Sequence, residues 1–366
     1  MKKFRSIIWI AVFLCMIVIP ALIYPDIAGY IDSDNHENRK KAGRPILRVE
    51  NYQTFPEEYE AYYNDNIPFR NQLIRLNNSI DYFVFKYSTN ENVCIGKDGW
   101  LFYCNKDDCN PIEQSLGYWS FSDDELNLIA ANLMSSKRAL EKRDIKFVLF
   151  IAPNKETIYR DQLPDYFEEK SQYTSTDRLV DYLKENTDVT VIYPKEELLK
   201  CRKENPNIVL YHKLDTHWNY AGAYIGARCL AEELGIRMPL LNEVMETPTL
   251  SSEGDLTDML NISIKDGDID YKIKGTNELE NKNEIWDLDT KFIHHTSEAD
   301  SRTLFVCRDS FALALAPNLA TYFENSVWIH RRVFDQQQIF DYEADIFVLE
   351  IAERYIRNLE NFVIDR

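Results

Sequence analysis

The chain of 366 residues carries 60 acidic and 42 basic side chains, a formal net charge of −18. That balance excludes nucleic-acid binding through a general electrostatic footprint, because phosphate would be repelled and no counterions released. A hydrophobic fraction of 45% with 13% aromatics can bury a large core, while 11 Gly and 13 Pro exclude collagen-like and low-complexity classes.

At roughly 150 residues per domain the length predicts about two domains, or one large α/β domain with insertions. Residues 1–25 open on the basic Lys2, Lys3 and Arg5, and no charge follows from Ser6 to Pro25. Roughly 20 apolar residues are what a spanning helix needs. The next charges, Asp26, Asp32, Asp34 and Glu37, are acidic. Positive residues stay on the cytoplasmic side, so 1–25 is expected to be a cytoplasmic tip and single-pass signal anchor with the body extracytoplasmic. A cleaved signal peptide is the alternative. Residues 26–92 read as a stalk followed by helices, with Leu73, Leu76, Ile80, Phe83 and Val84 at helical spacing and Pro68 as a break between two helices.

Residues 93–366 are expected to form the main α/β domain, with an insertion at about 240–300. The block 93–103 predicts a β-hairpin turning at Lys97-Asp98-Gly99. Ser122 and Glu125 have capping-box spacing at the head of a helix running to about Arg143. KFVLFIAP (146–153) is a continuous apolar run, as a parallel strand covered on both faces requires. A helix at 174–186, a strand at 189–194 and a helix at 219–234 come next. Beyond the polar interlude follow a strand at 303–310, a helix at 311–322, and strands at 326–332 and 345–355. Five short apolar strands alternating with helices predict an open, doubly wound parallel five-stranded sheet.

Six cysteines lie outside the apolar segment and allow fifteen pairings; Cys104 and Cys109 are the local pair able to close a small loop. No C-x-x-C or H-x-x-x-H spacing accompanies them, so no metal is expected. Cys307, inside an apolar strand, reads as a small buried hydrophobe.

Ligands of open parallel sheets bind outside the carboxyl ends of the strands. There the strand at 303–310 delivers Arg308-Asp309-Ser310 just before a helix, where free N–H groups favour developing negative charge. Ser310 is a nucleophile candidate or a plain N-cap. Upstream stands Asp215-Thr216-His217-Trp218; an Asp two residues before a His can orient the imidazole as a base toward Ser310, or the pair can cap the helix beginning near Asn219.

DTHW followed by RDSF, together with GKDGWLFY (96–103), the segment 65–70 and 350–355, resembles the AlgJ/AlgX-like family of SGNH-hydrolase-like O-acetyltransferases, which includes the DHHW-type proteins. The resemblance implies Ser310 as nucleophile, His217 as base and Asp215 as its acidic partner. Members of the wider SGNH class place Ser on the first strand and the His last; the reversed order here implies a circularly permuted fold. The usual oxyanion-hole Asn is missing from 350–355, leaving the Ser310 N–H as one donor and Arg354 or Tyr355 as side-chain contacts. Arg354 is otherwise a salt-bridge partner of Glu350 or Glu353. Lys155 is expected at the cleft edge, contacting an anionic sugar or simply solvated; Arg308 flanks the nucleophile; Trp218 stacks on a sugar ring or stands in the core or cleft wall; Asp309 braces the turn. No cofactor is expected. The implied partners are a multi-pass membrane-bound O-acyltransferase as acetyl donor and a polysaccharide acceptor. The chain is expected to lack a further C-terminal carbohydrate-binding domain. An acetylesterase with the same triad, and a non-catalytic anchored polysaccharide-binding scaffold, are the alternatives. Without Lys2, Lys3 and Arg5 the body is more acidic still, which weighs against a densely acidic acceptor unless Lys155, Arg308 and Arg354 form a local basic cleft.

Overall fold

The computed structural model describes residues 2–27, 40–251, 254–265, 267–275, 285–287, 291–296 and 299–365. The acidic Asp32, Asp34 and Glu37, and 276–284 of the polar interlude, lie outside the described residues. The chain divides into two compact units, Met1–Asn90 with Thr257–Ser263, and Glu91–Leu256 with Ile264–Arg366.

In the first unit, α1 (Lys2–Ile27) contains a stretch, Arg5–Tyr24, long and apolar enough to cross a membrane. Two helices follow, α2 (Phe55–Asp65) and α3 (Arg70–Ile80), the latter continuing as a π-helical turn over Asp81–Phe85. The break near Pro68 is real. Phe69 adopts φ 61°, which ends one helix path and starts the next. Asn78 donates to the Leu260 carbonyl at 2.6 Å, and Arg75 donates to Asn261 Oδ1 at 2.9 Å.

The second unit starts with the hairpin of β1 (Val93–Ile95) and β2 (Leu101–Tyr103), whose turn places Asp98 at φ 52° and Gly99 at φ 76°. After α4 (Pro111–Ser115), helix α5 (Asp123–Glu141) begins with the Ser122–Glu125 capping box made in both directions. Then come β3 (Lys146–Ala152), α6 (Lys155–Ile158), α7 (Ser175–Asn186), β4 (Thr190–Ile192), α8 (Lys195–Glu204) and α9 (Tyr220–Glu233). The interlude holds α10 (Leu241–Val244), the antiparallel pair β5 (Met245–Ser251) and β6 (Asp268–Ile273), and α11 (Asp255–Leu260) between them. It continues with β7 (Ile285–Asp287) and β8 (Lys291–His295). The chain closes with β9 (Asp300–Arg308), α12 (Ala312–Leu319), β10 (Phe323–His330), α13 (Gln337–Asp341), β11 (Ile346–Ala352) and a 3₁₀ stretch over Glu353–Asn361.

The main sheet runs β4-β3-β11-β9-β10-β8-β7. The five predicted strands are all present, adjacent and parallel. The predicted count of five is short by two: β8 and β7 pair antiparallel beyond β10. Counted from the serine-bearing β9, the five parallel strands have the order 2-1-3-4-5, a doubly wound arrangement.

Alternate residues of each strand feed two separate cores. Val148, Phe150, Val306, Trp328 and Val348 pack with α9 and α12 on one face. Phe147, Leu149, Phe305, Val327 and Phe347 pack with α5, α7 and the final 3₁₀ stretch on the other. This two-sided cover explains why the strands read as unbroken apolar runs. Cys307 is buried in the second core, as its strand position predicts.

Candidate active site

The ladder between β9 and β11 ends at Cys307 and Leu349. Beyond it the Asp309 side chain takes over. Its Oδ2 accepts the Ala352 N–H of β11 at 2.6 Å, and its Oδ1 accepts the Phe311 N–H at 2.9 Å. The Asp309 N–H donates to Glu350 Oε2 at 2.8 Å. Burial, then the nearby Asp309 charge, push the Glu350 carboxyl well above its usual range. Asp309 thus braces the turn that carries Ser310, as its sequence position suggests. Ser310 stands just ahead of α12, where helix-end N–H groups lack intrahelical partners.

The loop 211–219 presents the other half. Tyr211 and Trp218 form an isolated antiparallel bridge, and the His212 N–H donates to the His217 carbonyl at 3.1 Å. Asn219 Oδ1 caps α9 through the Gly222 N–H, so the Asp–His pair is not needed as a cap. Instead Asp215 Oδ1 lies 2.6 Å from His217 Nδ1 and also accepts the His217 N–H at 2.9 Å. His217 Nε2 lies 2.8 Å from Ser310 Oγ. With Nδ1–H donating to Asp215, Nε2 is left as acceptor for the Ser310 hydroxyl. Burial pushes His217 toward neutrality, but the hydrogen bond and charge of Asp215, with Asp255 beyond, outweigh it and raise the imidazole pKa. Burial likewise opposes ionisation of Asp215, yet its bonds to His217 and the Asp255 N–H hold it far below the usual carboxylate range.

Three of the residues named as substrate contacts, Lys155, Trp218 and Arg308, are almost fully buried. Lys155 is fully buried: its Nζ donates to the carbonyls of Asp215 at 2.6 Å and His212 at 3.2 Å, and lies over the Phe102 ring. A desolvated ammonium needs such acceptors, so Lys155 holds the loop from beneath and does not reach the cleft edge. Trp218 is 1% exposed, donates from Nε1 to the Phe311 carbonyl at 2.9 Å and packs edge-on to the Phe311 ring. It joins the two halves of the site and offers no face to a sugar. Arg308 is also buried, its guanidinium 5.8 Å from the Phe292 ring centroid. Arg354 and Tyr355 stay near the triad. Arg354 Nη2 donates to Thr216 Oγ1 at 3.4 Å, and its guanidinium lies 5.3 Å from the Phe311 ring centroid. Its expected salt bridge is not formed: Glu353 accepts from the Asn154 N–H and the hydroxyls of Thr157, Thr176 and Tyr193. Tyr355 is half-buried beside the Arg354 and Arg331 guanidinium groups.

The interlude supplies residues that sequence reasoning missed. The Asp255 N–H donates to Asp215 Oδ2 at 2.9 Å, and the Asp255 carboxylate accepts from the Thr216 N–H at 2.8 Å and from its hydroxyl. Asp268 accepts the N–H groups of Lys213 and Leu214, both at 2.8 Å. The Leu101 N–H of β2 donates to the Lys213 carbonyl at 3.0 Å. The available signal was Gly254, directly before Asp255: a Cβ there would stand 2.4 Å from the Leu214 carbonyl oxygen. Among the described residues Asp215, His217 and Asp255 bring possible metal-ligand atoms within 4.8 Å of one another. Those atoms already bond to one another and to the loop backbone. A cavity of about 830 Å³ lies by β4, lined by Thr157, Arg160, Tyr173, Tyr193 and Arg202 among others and by none of the triad.

The family described as SGNH hydrolase-like domain, acetyltransferase AlgX, matches residues 93–283. The chain is 27% identical over 176 residues to a probable alginate O-acetylase AlgJ of Pseudomonas aeruginosa, which covers 48% of this chain and 41% of that protein. It spans less than half the length of the curated relatives it matches. Among solved structures, Bacillus cereus PatB1 with a sulfonyl adduct superposes with TM-score 0.54 at 16% identity, covering 74% of this chain and 100% of that one. A DHHW family protein from Eubacterium siraeum gives TM-score 0.54 at 15% identity, over 76% of this chain and 98% of that one. These two likenesses concern the fold.

Proposed function

This chain belongs to the AlgX family of SGNH hydrolase-like acetyltransferase domains, and from that premise we propose that it is an extracytoplasmic polysaccharide O-acetyltransferase working through acetyl-Ser310. The observation that carries the reading is the relay Asp215–His217–Ser310, with contacts of 2.6 and 2.8 Å at the carboxyl end of β9. His217 Nε2 takes the Ser310 proton as Oγ attacks the acetyl carbonyl, and returns it to the departing donor oxygen. The acetyl ester on Ser310 is then attacked by a glycan hydroxyl whose proton His217 accepts; collapse restores the Ser310 hydroxyl and releases the O-acetylated sugar. Asp215, held ionised, stabilises the imidazolium formed in each half. The Ser310 N–H and the neighbouring Arg354 supply positive potential to the tetrahedral oxyanion.

The strand order counted from β9 supports reading the fold as a circular permutation. The apolar span Arg5–Tyr24 supports a single-pass anchor. An acetyl donor made inside the cell must cross the bilayer, and a multi-pass membrane-bound O-acyltransferase fits that need. The AlgJ relatives, named as probable alginate O-acetylases, support a polysaccharide acceptor. All three of the expected basic trio, Lys155, Arg308 and Arg354, are buried, which favours a neutral or lightly charged glycan.

Incubation with an activated acetyl ester, followed by mass spectrometry, tests the reading. One acetyl group on Ser310, absent from Ser310→Ala and transferred to an added glycan, supports it. Acetate release that no glycan diverts identifies an esterase. Neither acylation nor acetate release would leave the scaffold reading.

A further inference from the structure

An amphipathic helix of a globular protein ordinarily turns its apolar stripe inward. Helix α3 with its π turn does the reverse. Buried polar residues hold it in place: Asn78 bonds the Leu260 carbonyl and Asp81 accepts from the Thr89 hydroxyl at 2.8 Å, while the exposed Arg75 bonds Asn261. Leu73, Leu76, Ile80, Phe83, Val84 and Phe85 face outward, Leu76 at 58% and Val84 at 67% exposure. The π turn over Asp81–Phe85 widens the helix where Phe83, Val84 and Phe85 emerge together. An apolar patch of this continuity on an otherwise acidic protein signals an apolar surrounding.

We infer that this face of α3 lies in the interfacial layer of a phospholipid bilayer, the one that α1 crosses. The occupant follows from continuity. Tyr24, at the far end of the apolar span, meets Phe69, directly ahead of α3, with ring centroids 5.4 Å apart and planes at 73°. Paired aromatic rings at the exit of a span sit at headgroup level, so α3 begins at that level. Charge agrees. Residues 70–87 contain Arg70, Arg75 and Lys86 against the single acid Asp81, in a chain of net charge −18. Lys86 extends along the Tyr82 ring, its Nζ 5.3 Å from the centroid, the amphipathic posture of a lysine at a lipid boundary.

The inference rests on α1 being a membrane span, and the test separates the two. The full chain, carrying p-benzoylphenylalanine in place of Phe83 or, separately, Val84, is reconstituted in nanodiscs of phosphatidylcholine and phosphatidylglycerol and illuminated. The same residue in place of the exposed Lys142 on the other unit is the control. Phospholipid adducts at 83 and 84, about tenfold above the control position, are expected. Adducts to a second protein molecule, or none at either position in chains that stay in the disc through alkaline extraction, would overturn the surface while leaving the anchor. Release of the chain by alkaline extraction would overturn the anchor and the surface together. Side chains at 83 and 84 are exposed, so an unchanged melting transition confirms that each labelled chain is folded.

Discussion

The turn that carries Ser310 and the loop that carries His217 meet at 2.8 Å but are built in different ways. The turn is held by its own sheet. Asp309 bonds the next residue but one and the adjoining strand β11, and Glu350 on that strand returns a bond. The loop is held by side chains and backbone brought from four other segments: Lys155 after β3, Leu101 of β2, Asp255 and Asp268 of the interlude. Ser310 is therefore placed by topology and His217 by imported braces. Topology fails with the fold as a whole, whereas braces fail one at a time.

Changes to the chemistry itself break both halves most deeply. Ser310→Ala is expected to lower turnover of an activated acetyl ester by roughly 10⁴- to 10⁶-fold with an unaltered melting temperature, and Ser310→Ala combined with His217→Ala should be scarcely worse. Asp215→Asn keeps the shape of the loop but favours the wrong tautomer, and should cost about 10⁴-fold in kcat. Lys155→Met probes the braces: with the Asp215 and His212 carbonyls released, a displacement of the imidazole predicts a kcat loss on the order of 10²-fold, with a smaller effect on KM. The contrasting variant Asp309→Ala should show its effect in denaturant melts, losing about 2–4 kcal/mol as the Ala352 and Phe311 N–H groups are left unpaired. If Asp309→Ala leaves stability untouched while Lys155→Met unfolds the protein, the comparison is reversed.

The mildest variant concerns pH. Asp255 helps to raise the His217 pKa, so Asp255→Asn should lower it and move the acidic limb of the kcat/KM profile to lower pH, at less than about tenfold cost at the optimum. The raised imidazole also has a folding counterpart. Its contribution to stability is complete below the unfolded value of about 6.5 and is lost as pH rises through the folded value, so a chemical-denaturation series should fall on that alkaline side and flatten in His217→Ala.

The parallel strands were legible because each is buried on both faces, which leaves an unbroken run such as FVLFIA in the sequence. The capping box at Ser122 and the hairpin turn at Asp98-Gly99 are local chemistry and could be read locally. Strands β7 and β8 were not: β8 buries Phe292 and His294 but leaves Lys291 and Ile293 only partly covered and His295 exposed, so polar residues enter a short segment, KFIHH. The triad residues could be named from spacing and family resemblance. Their neighbours could not. Lys155 and Arg308 are basic and stand at strand ends, and nothing in residue type tells that a lysine will be buried against carbonyl oxygens. Asp255 and Asp268 act through contacts made far along the chain, and a polar stretch hides such acids among solvated ones.

The sheet order has a consequence for the route by which this molecule is made. Strand β3 finds β4 soon after synthesis, but its other neighbour, β11, arrives near the end of the chain. Until residues 346–352 appear, an apolar strand presents an open edge to whatever else is nearby. Pairings so distant in sequence make folding slow and late, and expose the growing chain to aggregation. Completion of the sheet at β3 therefore waits on the synthesis of residues 346–352.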